Sequence, residues 1–148
     1  MIIETFFPRK RLTNIDLETL FPDWSAAKIE EKVGIKERFI VEENETALDL
    51  AFEASNKALR SFDKSKIDFV LLCTQSPDYL LPTSACILQD KLGLRTNIGA
   101  LDFNLGCSGF IYGLALAKSL IKTGLAANVL MVTSETYSKH IHPNDRSN

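Results

Sequence analysis

Asn104-Leu105-Gly106-Cys107-Ser108-Gly109-Phe110 stands between a strand-like apolar run over 98–103 and a helix-like apolar run over 107–123, and a second strand-like run follows over 128–133. A strand, a tight glycine-flanked turn and a helix returning to another apolar strand make a unit of parallel sheet with a right-handed crossover. The pattern repeats toward the N-terminus. Residues 67–73 form an apolar run of strand length, and Pro82-Thr83 opens a helix to about Leu92 that Gly93 closes. Before them Thr46-Ala47-Leu48-Asp49 has capping-box spacing. Ala47, Leu50, Ala51, Ala54, Ala58, Leu59 and Phe62 then recur at three- and four-residue steps, which predicts a core-facing helix.

The first forty residues are less regular. Residues 2–7 read as a strand ended by Pro8, and Thr13-Asn14-Ile15-Asp16 starts a short helix to about Leu20. A second short helix over 25–32 stops at Gly34, and 35–41 read as extended. The chain is therefore expected to be an α/β protein: a mostly parallel sheet with helices on its faces and a helical insert at about 13–33.

Composition excludes several function classes. A net charge of −2 with scattered basic residues gives no phosphate-tracking surface, so no nucleic-acid partner is expected. No run of about 18 apolar residues occurs, so no membrane span is expected either. The N-terminal apolar run is too short, and Glu4 too early, for a signal peptide. Cysteines at 73, 86 and 107 form neither a disulfide framework nor a zinc-type pair. A reducing, cytoplasmic setting follows, with no metal and no resident cofactor.

The chemistry concentrates at Cys107. Unpaired N–H groups and the positive dipole end at a helix start favour a thiolate. Gly106 and Gly109 allow a tight turn and close approach of a substrate. In open α/β sheets ligands bind beyond the carboxyl ends of the strands, where this turn would lie. Cys73, inside a strand, and Cys86, inside a helix of core periodicity, are expected to be buried small hydrophobes. A nucleophilic thiolate also needs a base and oxyanion donors. The Cys107 N–H can be one donor, but His140 and His142 are the only imidazoles, and both are expected to be exposed and idle.

Five motifs resemble β-ketoacyl-acyl carrier protein synthase III in order and approximate spacing. They are Lys32-Val33-Gly34-Ile35-Lys36-Glu37-Arg38, Asn44-Glu45-Thr46, Pro82-Thr83-Ser84-Ala85-Cys86, the Cys107 turn, and His142-Pro143-Asn144-Asp145-Arg146. The resemblance implies a thiolase-like fold of two similar α/β halves, with residues 1–148 the N-terminal half and the C-terminal half absent. It implies a decarboxylative Claisen condensation that initiates fatty acid biosynthesis, with acyl-CoA, usually acetyl-CoA, and malonyl-acyl carrier protein as substrates. Cys107 matches the acyl acceptor, and Arg146 an arginine that packs on the CoA adenine. Lys32 falls where the family often has an arginine near the CoA phosphate, and lysine supplies the charge without the planar fork. Trp24 stands further before Gly34 than the family's adenine-stacking tryptophan does, and is otherwise an apolar anchor of the insert. Leu81 matches a position that reaches into the partner's acyl pocket in the family's dimer, which implies an influence on primer size. The family's catalytic histidine and asparagine come from its C-terminal half, so the chain alone is expected to be inactive and to associate as a homo-oligomer or with that half. Two other readings stand beside this one. They are another thiolase-fold acyltransferase, of polyketide or hydroxymethylglutaryl-CoA synthase type, and a non-catalytic half-domain that binds a partner.

Overall fold

The computed structural model describes residues 1–142, which divide into two units. The smaller unit, Phe7–Asn44, holds an antiparallel pair of short strands, β1 (Lys10–Thr13) and β2 (Glu37–Ile40), with helices α1 (Asn14–Leu20) and α2 (Ala26–Val33) between them. Local signals set both helices. Thr13 and Asp16 form a reciprocal capping box on α1, and Ser25 caps α2. Gly34 ends α2 at φ +70°, a left-handed conformation that costs glycine no steric penalty. Buried Asn14 donates to the Ile35 carbonyl at 2.8 Å and accepts from Arg38 Nη1 at 2.7 Å, which joins α1 to the approach of β2.

One expectation fails here. Residues 2–7 form no strand, and the first strand begins at Lys10. Among the described residues no strand pairs with them, and the Thr5 carbonyl instead accepts from Lys57 Nζ at 2.9 Å.

The larger unit comprises residues 1–6 and those from Glu45 onward. Its elements are α3 (Ala47–Leu59), β3 (Phe69–Cys73), α4 (Ser84–Lys91), β4 (Gly99–Phe103), α5 (Gly109–Lys122) and β5 (Val129–Thr133). The three strands form a parallel sheet in the order β4-β3-β5, as the alternating pattern requires. Side chains alternate across it. Val70, Leu72, Ala100, Leu130 and Val132 pack with Leu48 and Ala51 of α3 and Ala85 and Leu88 of α4 in the main core. The intervening residues Cys73, Phe103 and Met131 face α5, against Gly109 and Gly113.

The buried side of α3 is Ala47, Leu48, Ala51 and Ser55, not the stripe through Leu50, Ala54 and Ala58. On α4 the buried residues are Ser84, Ala85 and Leu88, so Cys86 faces outward and is exposed, contrary to expectation. At about 100° per residue, Cys86 cannot share a face with both Ala85 and Leu88. The start of α4 carries a long-range cap. Thr83 makes no side-chain cap bond, and Asp102 of β4 accepts from the Ser84 N–H at 2.6 Å and from the Ala85 N–H. A carboxylate there satisfies orphan donors and meets the positive dipole end.

Candidate active site

The carboxyl ends of β3, β4 and β5 meet where the parallel ladder runs out. Thr74 N–H donates to the Phe103 carbonyl at 3.2 Å and Ser134 N–H to the Cys73 carbonyl at 3.1 Å, so the segments leaving all three strands stay together. An open cleft of about 560 Å³ lies there, lined by Cys73, Gln75, Leu105, Gly106, Cys107, Phe110, Thr133, Glu135 and Tyr137. A cleft at this end of an α/β sheet is where ligands are expected.

Cys107 lies on the turn between β4 and α5 and is exposed. The Gly109 N–H donates to the Gly106 carbonyl at 2.8 Å, closing a tight turn around the thiol. The helix begins two residues later than the sequence suggested: Ser108 is its N-cap, without a side-chain cap bond. The first intrahelical bond runs from Tyr112 N–H to the Ser108 carbonyl at 3.1 Å. With the Gly109 N–H committed to Gly106, the Phe110 and Ile111 N–H groups are left as the orphan donors of a helix start. Such donors suit the oxyanion that forms when a thiol nucleophile attacks a carbonyl.

Two glycines are needed for this geometry. A Cβ at Gly106 would lie 2.8 Å from Gln75 Oε1, and one at Gly109 would lie 2.4 Å from Cys73 Sγ. Gly109 therefore lets α5 start directly on the sheet, which sets where Cys107 stands. Cys73 is buried as expected, but it also forms part of the cleft wall, donating to the Leu105 carbonyl at 3.1 Å. Burial raises its thiol pKa most; the Leu105 bond opposes this and the Glu135 charge adds to it. Cys73 is thus the protonated wall of a cleft whose exposed thiol is Cys107.

Opposite the turn, Glu135 joins two strand ends. One of its oxygens accepts from the Gln75 N–H, and the other accepts from Ser76 Oγ at 2.8 Å. Ser76 N–H in turn donates to Thr74 Oγ1 at 3.0 Å. The backbone at Gln75 is therefore fixed on both sides. The sequence marks Cys73 only as a buried hydrophobe and gives Gln75, Glu135 and Tyr137 no signal but position, at or just beyond the ends of the two strands flanking one another in the sheet.

Of the catalytic and substrate-contact candidates among the described residues, Cys107 alone lines this cleft, with Gly106 of its own turn. Leu81 lies on the loop between β3 and α4, is 82% exposed, and is followed by a cis bond to Pro82. Trp24 and Lys32 belong to the smaller unit. Trp24 carries Lys28 Nζ 4.5 Å from its ring centroid, and Lys32 is exposed in the last turn of α2. Arg146 lies outside the described residues. His140 is exposed and follows a 3-10 turn at Tyr137–Lys139. Among the described residues no group of three or more His, Cys, Asp or Glu could hold a metal ion.

Comparison with known proteins agrees with this geometry. Residues 101–148 match the family described as 3-Oxoacyl-[acyl-carrier-protein (ACP)] synthase III. The chain is 43% identical over 145 residues to the beta-ketoacyl-[acyl-carrier-protein] synthase III of Caldanaerobacter subterraneus subsp. tengcongensis, covering 97% of this chain and 43% of that protein. It is 43% identical over 148 residues to the synthase of Campylobacter jejuni, covering 45% of it. A crystal structure of a 3-oxoacyl-(acyl-carrier-protein) synthase III superposes with TM-score 0.94 at 54% identity, covering 98% of this chain and 44% of that one. The Thermus thermophilus synthase superposes with TM-score 0.90 at 38% identity, covering 46% of its chain. The chain thus spans less than half the length of these relatives.

Proposed function

We propose that the chain is the N-terminal part of a 3-oxoacyl-[acyl-carrier-protein] synthase III, the family its sequence and fold match, and that its Cys107 takes an acyl group from acyl-CoA for condensation with malonyl-acyl carrier protein. The observation that carries this reading is the exposed thiol on a glycine turn at a helix start, inside a cleft at the sheet's carboxyl edge. The Cys107 thiolate attacks the acyl-CoA carbonyl, the oxyanion collapses, and the CoA thiolate leaves. Malonyl-acyl carrier protein then loses carbon dioxide, and the resulting carbanion attacks the acyl-cysteine carbonyl. The new carbon–carbon bond releases 3-oxoacyl-carrier protein and restores the thiolate. No resident cofactor enters this scheme.

Acetyl is the proposed primer, with Leu81, Trp24, Lys32 and Arg146 in the substrate-contact roles the resemblance assigns them. The histidine and asparagine that promote decarboxylation are assigned to the half of the relatives that this chain does not span. Residues 1–148 alone are therefore proposed not to complete the condensation. A bacterial fatty-acid-type enzyme of this kind would work in the cytoplasm. No helix among the described residues is long and apolar enough to cross a membrane. Phe110, Ile111 and Tyr112 of α5 are each more than half exposed, and a patch of this kind suits coverage by a second copy or by the remaining length of the relatives.

One comparison favours a second reading. A priming beta-ketosynthase from the R1128 polyketide pathway superposes with TM-score 0.91 at 29% identity, so polyketide priming is the alternative setting for the same cysteine chemistry.

The test is intact-mass analysis of the protein carrying this chain after incubation with acetyl-CoA. One acetyl group on Cys107, lost in Cys107→Ser, is the expected result. Unchanged mass across a panel of acyl-CoA donors overturns the reading.

A further inference from the structure

Gln75 projects its side chain onto the turn that carries the nucleophile, where its Oε1 occupies the space beside Gly106. Its backbone N–H is held by Glu135, and its neighbour Ser76 is held by Glu135 and Thr74. The side-chain amide itself takes no hydrogen-bond partner among the described residues. An uncommitted amide on a held backbone, next to Gly106 and in the same cleft as Cys107, has one acceptor oxygen and two N–H donors to offer. The same cleft is lined by Thr133, Tyr137 and, next to Gln75, the Glu135 carboxylate, whose oxygens each retain acceptor capacity beyond the one bond already made. The wall that an acyl group on Cys107 would meet is therefore polar on this side, with acceptors in excess.

We propose that, among acyl groups longer than acetyl, this cleft prefers a short one bearing a hydroxyl a few bonds from the thioester, of the 3-hydroxyacyl class, and that Gln75 is the specificity-determining residue that reads it. The proposal rests on the acyl-transfer reading of Cys107 and names the substrate class for it. A hydroxyl fits because it accepts from the Gln75 amide N–H while donating to Gln75 Oε1 or to Glu135. A plain alkyl chain of the same length leaves those groups facing hydrocarbon without replacing their water. Discrimination of this kind arises when site polar groups lose their partners.

The experiment compares acylation of Cys107 by 3-hydroxybutyryl-CoA and butyryl-CoA, followed by intact mass against time, in the protein carrying this chain and in its Gln75→Leu and Gln75→Asn variants. The hydroxylated donor is expected to react about 3- to 10-fold faster, the range of one net hydrogen bond. Gln75→Leu should bring the ratio to one or invert it, and Gln75→Asn should keep part of it. Equal rates for the two donors with Gln75 in place overturn the proposal and leave the acyl-transfer reading intact. An equal slowing of both donors in Gln75→Leu also overturns it, because a merely structural role leaves the ratio unmoved. No acylation by either donor or by acetyl-CoA overturns both.

Discussion

Replacing Gly109 by alanine tests how α5 is seated on the sheet, and with it how Cys107 is placed. The new methyl would lie 2.4 Å from Cys73 Sγ and 3.3 Å from the Leu105 Cβ. Relief to ordinary contact needs a shift of roughly 1 Å, since carbon-sized atoms rest about 3.5–4.0 Å apart. Overpacking of this size costs about 1–3 kcal/mol, and the better helix propensity of alanine returns at most about 1 kcal/mol. Gly109→Ala should therefore destabilise by about 1–2 kcal/mol. The sulfur is the main obstacle. With Cys73→Ala the nearest remaining atom on that residue is its Cβ, 3.8 Å away, an ordinary contact. The double variant should be no less stable than Cys73→Ala alone, a favourable coupling of about 1–2 kcal/mol between touching residues. Urea unfolding of the four proteins followed by far-ultraviolet circular dichroism gives the cycle from midpoints, provided the slopes agree. The rate of Cys107 alkylation should move with it, altered in Gly109→Ala and recovered in the pair. Additive effects would refute the reasoning, because the thiol would not then be what α5 rests on.

Native titration with a thiol reagent should modify Cys86 and Cys107 promptly and Cys73 only on unfolding, because Cys73 is buried and burial raises its pKa; prompt reaction of all three cysteines contradicts the cleft wall. Asp102→Ala removes both caps on α4 and should cost about 1–2 kcal/mol in urea unfolding, with Asp102→Asn intermediate. The Asp68 carboxyl is held below its ordinary 3.8 by the Asn128 and Ala127 N–H groups, against burial and with help from Arg95. Its stabilising contribution is present above that ordinary value and is lost as pH falls through the lowered one. Asp68→Asn should therefore flatten the fall in melting temperature as pH drops below the ordinary carboxyl value of 3.8; an unchanged slope would remove Asp68 from the acid response. Glu135→Ala frees the Gln75 N–H and Ser76 Oγ together, and amide exchange at Gln75 should accelerate while α3 and α4 keep their protection.

What could be read from the sequence was what is encoded locally. The Thr13 and Thr46 boxes, the Gly34 stop and the apolar runs of β3, β4 and β5 each carry their signal within a few residues, and each appears in the structure within a residue or two. The errors share one cause, which is dependence on distant partners. Residues 2–7 have strand composition but no strand to pair with among the described residues. Cys86 reads as core, yet the buried face of α4 runs through Ser84, Ala85 and Leu88, chosen by the sheet it covers and by the Asp102 cap from β4. The site divides in the same way. Cys107 declares itself through flanking glycines, whereas Gln75 and Glu135 lie sixty residues apart and become neighbours only once β3 and β5 pair.

α5 links these two kinds of information. Its apolar residues run around most of its circumference, a pattern that belongs to a helix enclosed on all sides. The structure buries only Gly109 and Gly113 fully, and these small residues let the helix lie close to Cys73, Met131 and Phe103. Phe110, Ile111, Leu114, Leu116 and Ile121 remain between 39% and 65% exposed. The inner stripe is thus specified by contacts within residues 1–142, and the outer face is composed for contacts of another kind. The position of Cys107 depends on the inner stripe, since Gly109 fixes the helix start. The environment over Cys107 depends on the outer face, since Phe110 lines the cleft and stands at the head of the exposed apolar surface. Placement of the nucleophile and completion of its surroundings are therefore separable properties of this fold, and the first is fully built from these residues.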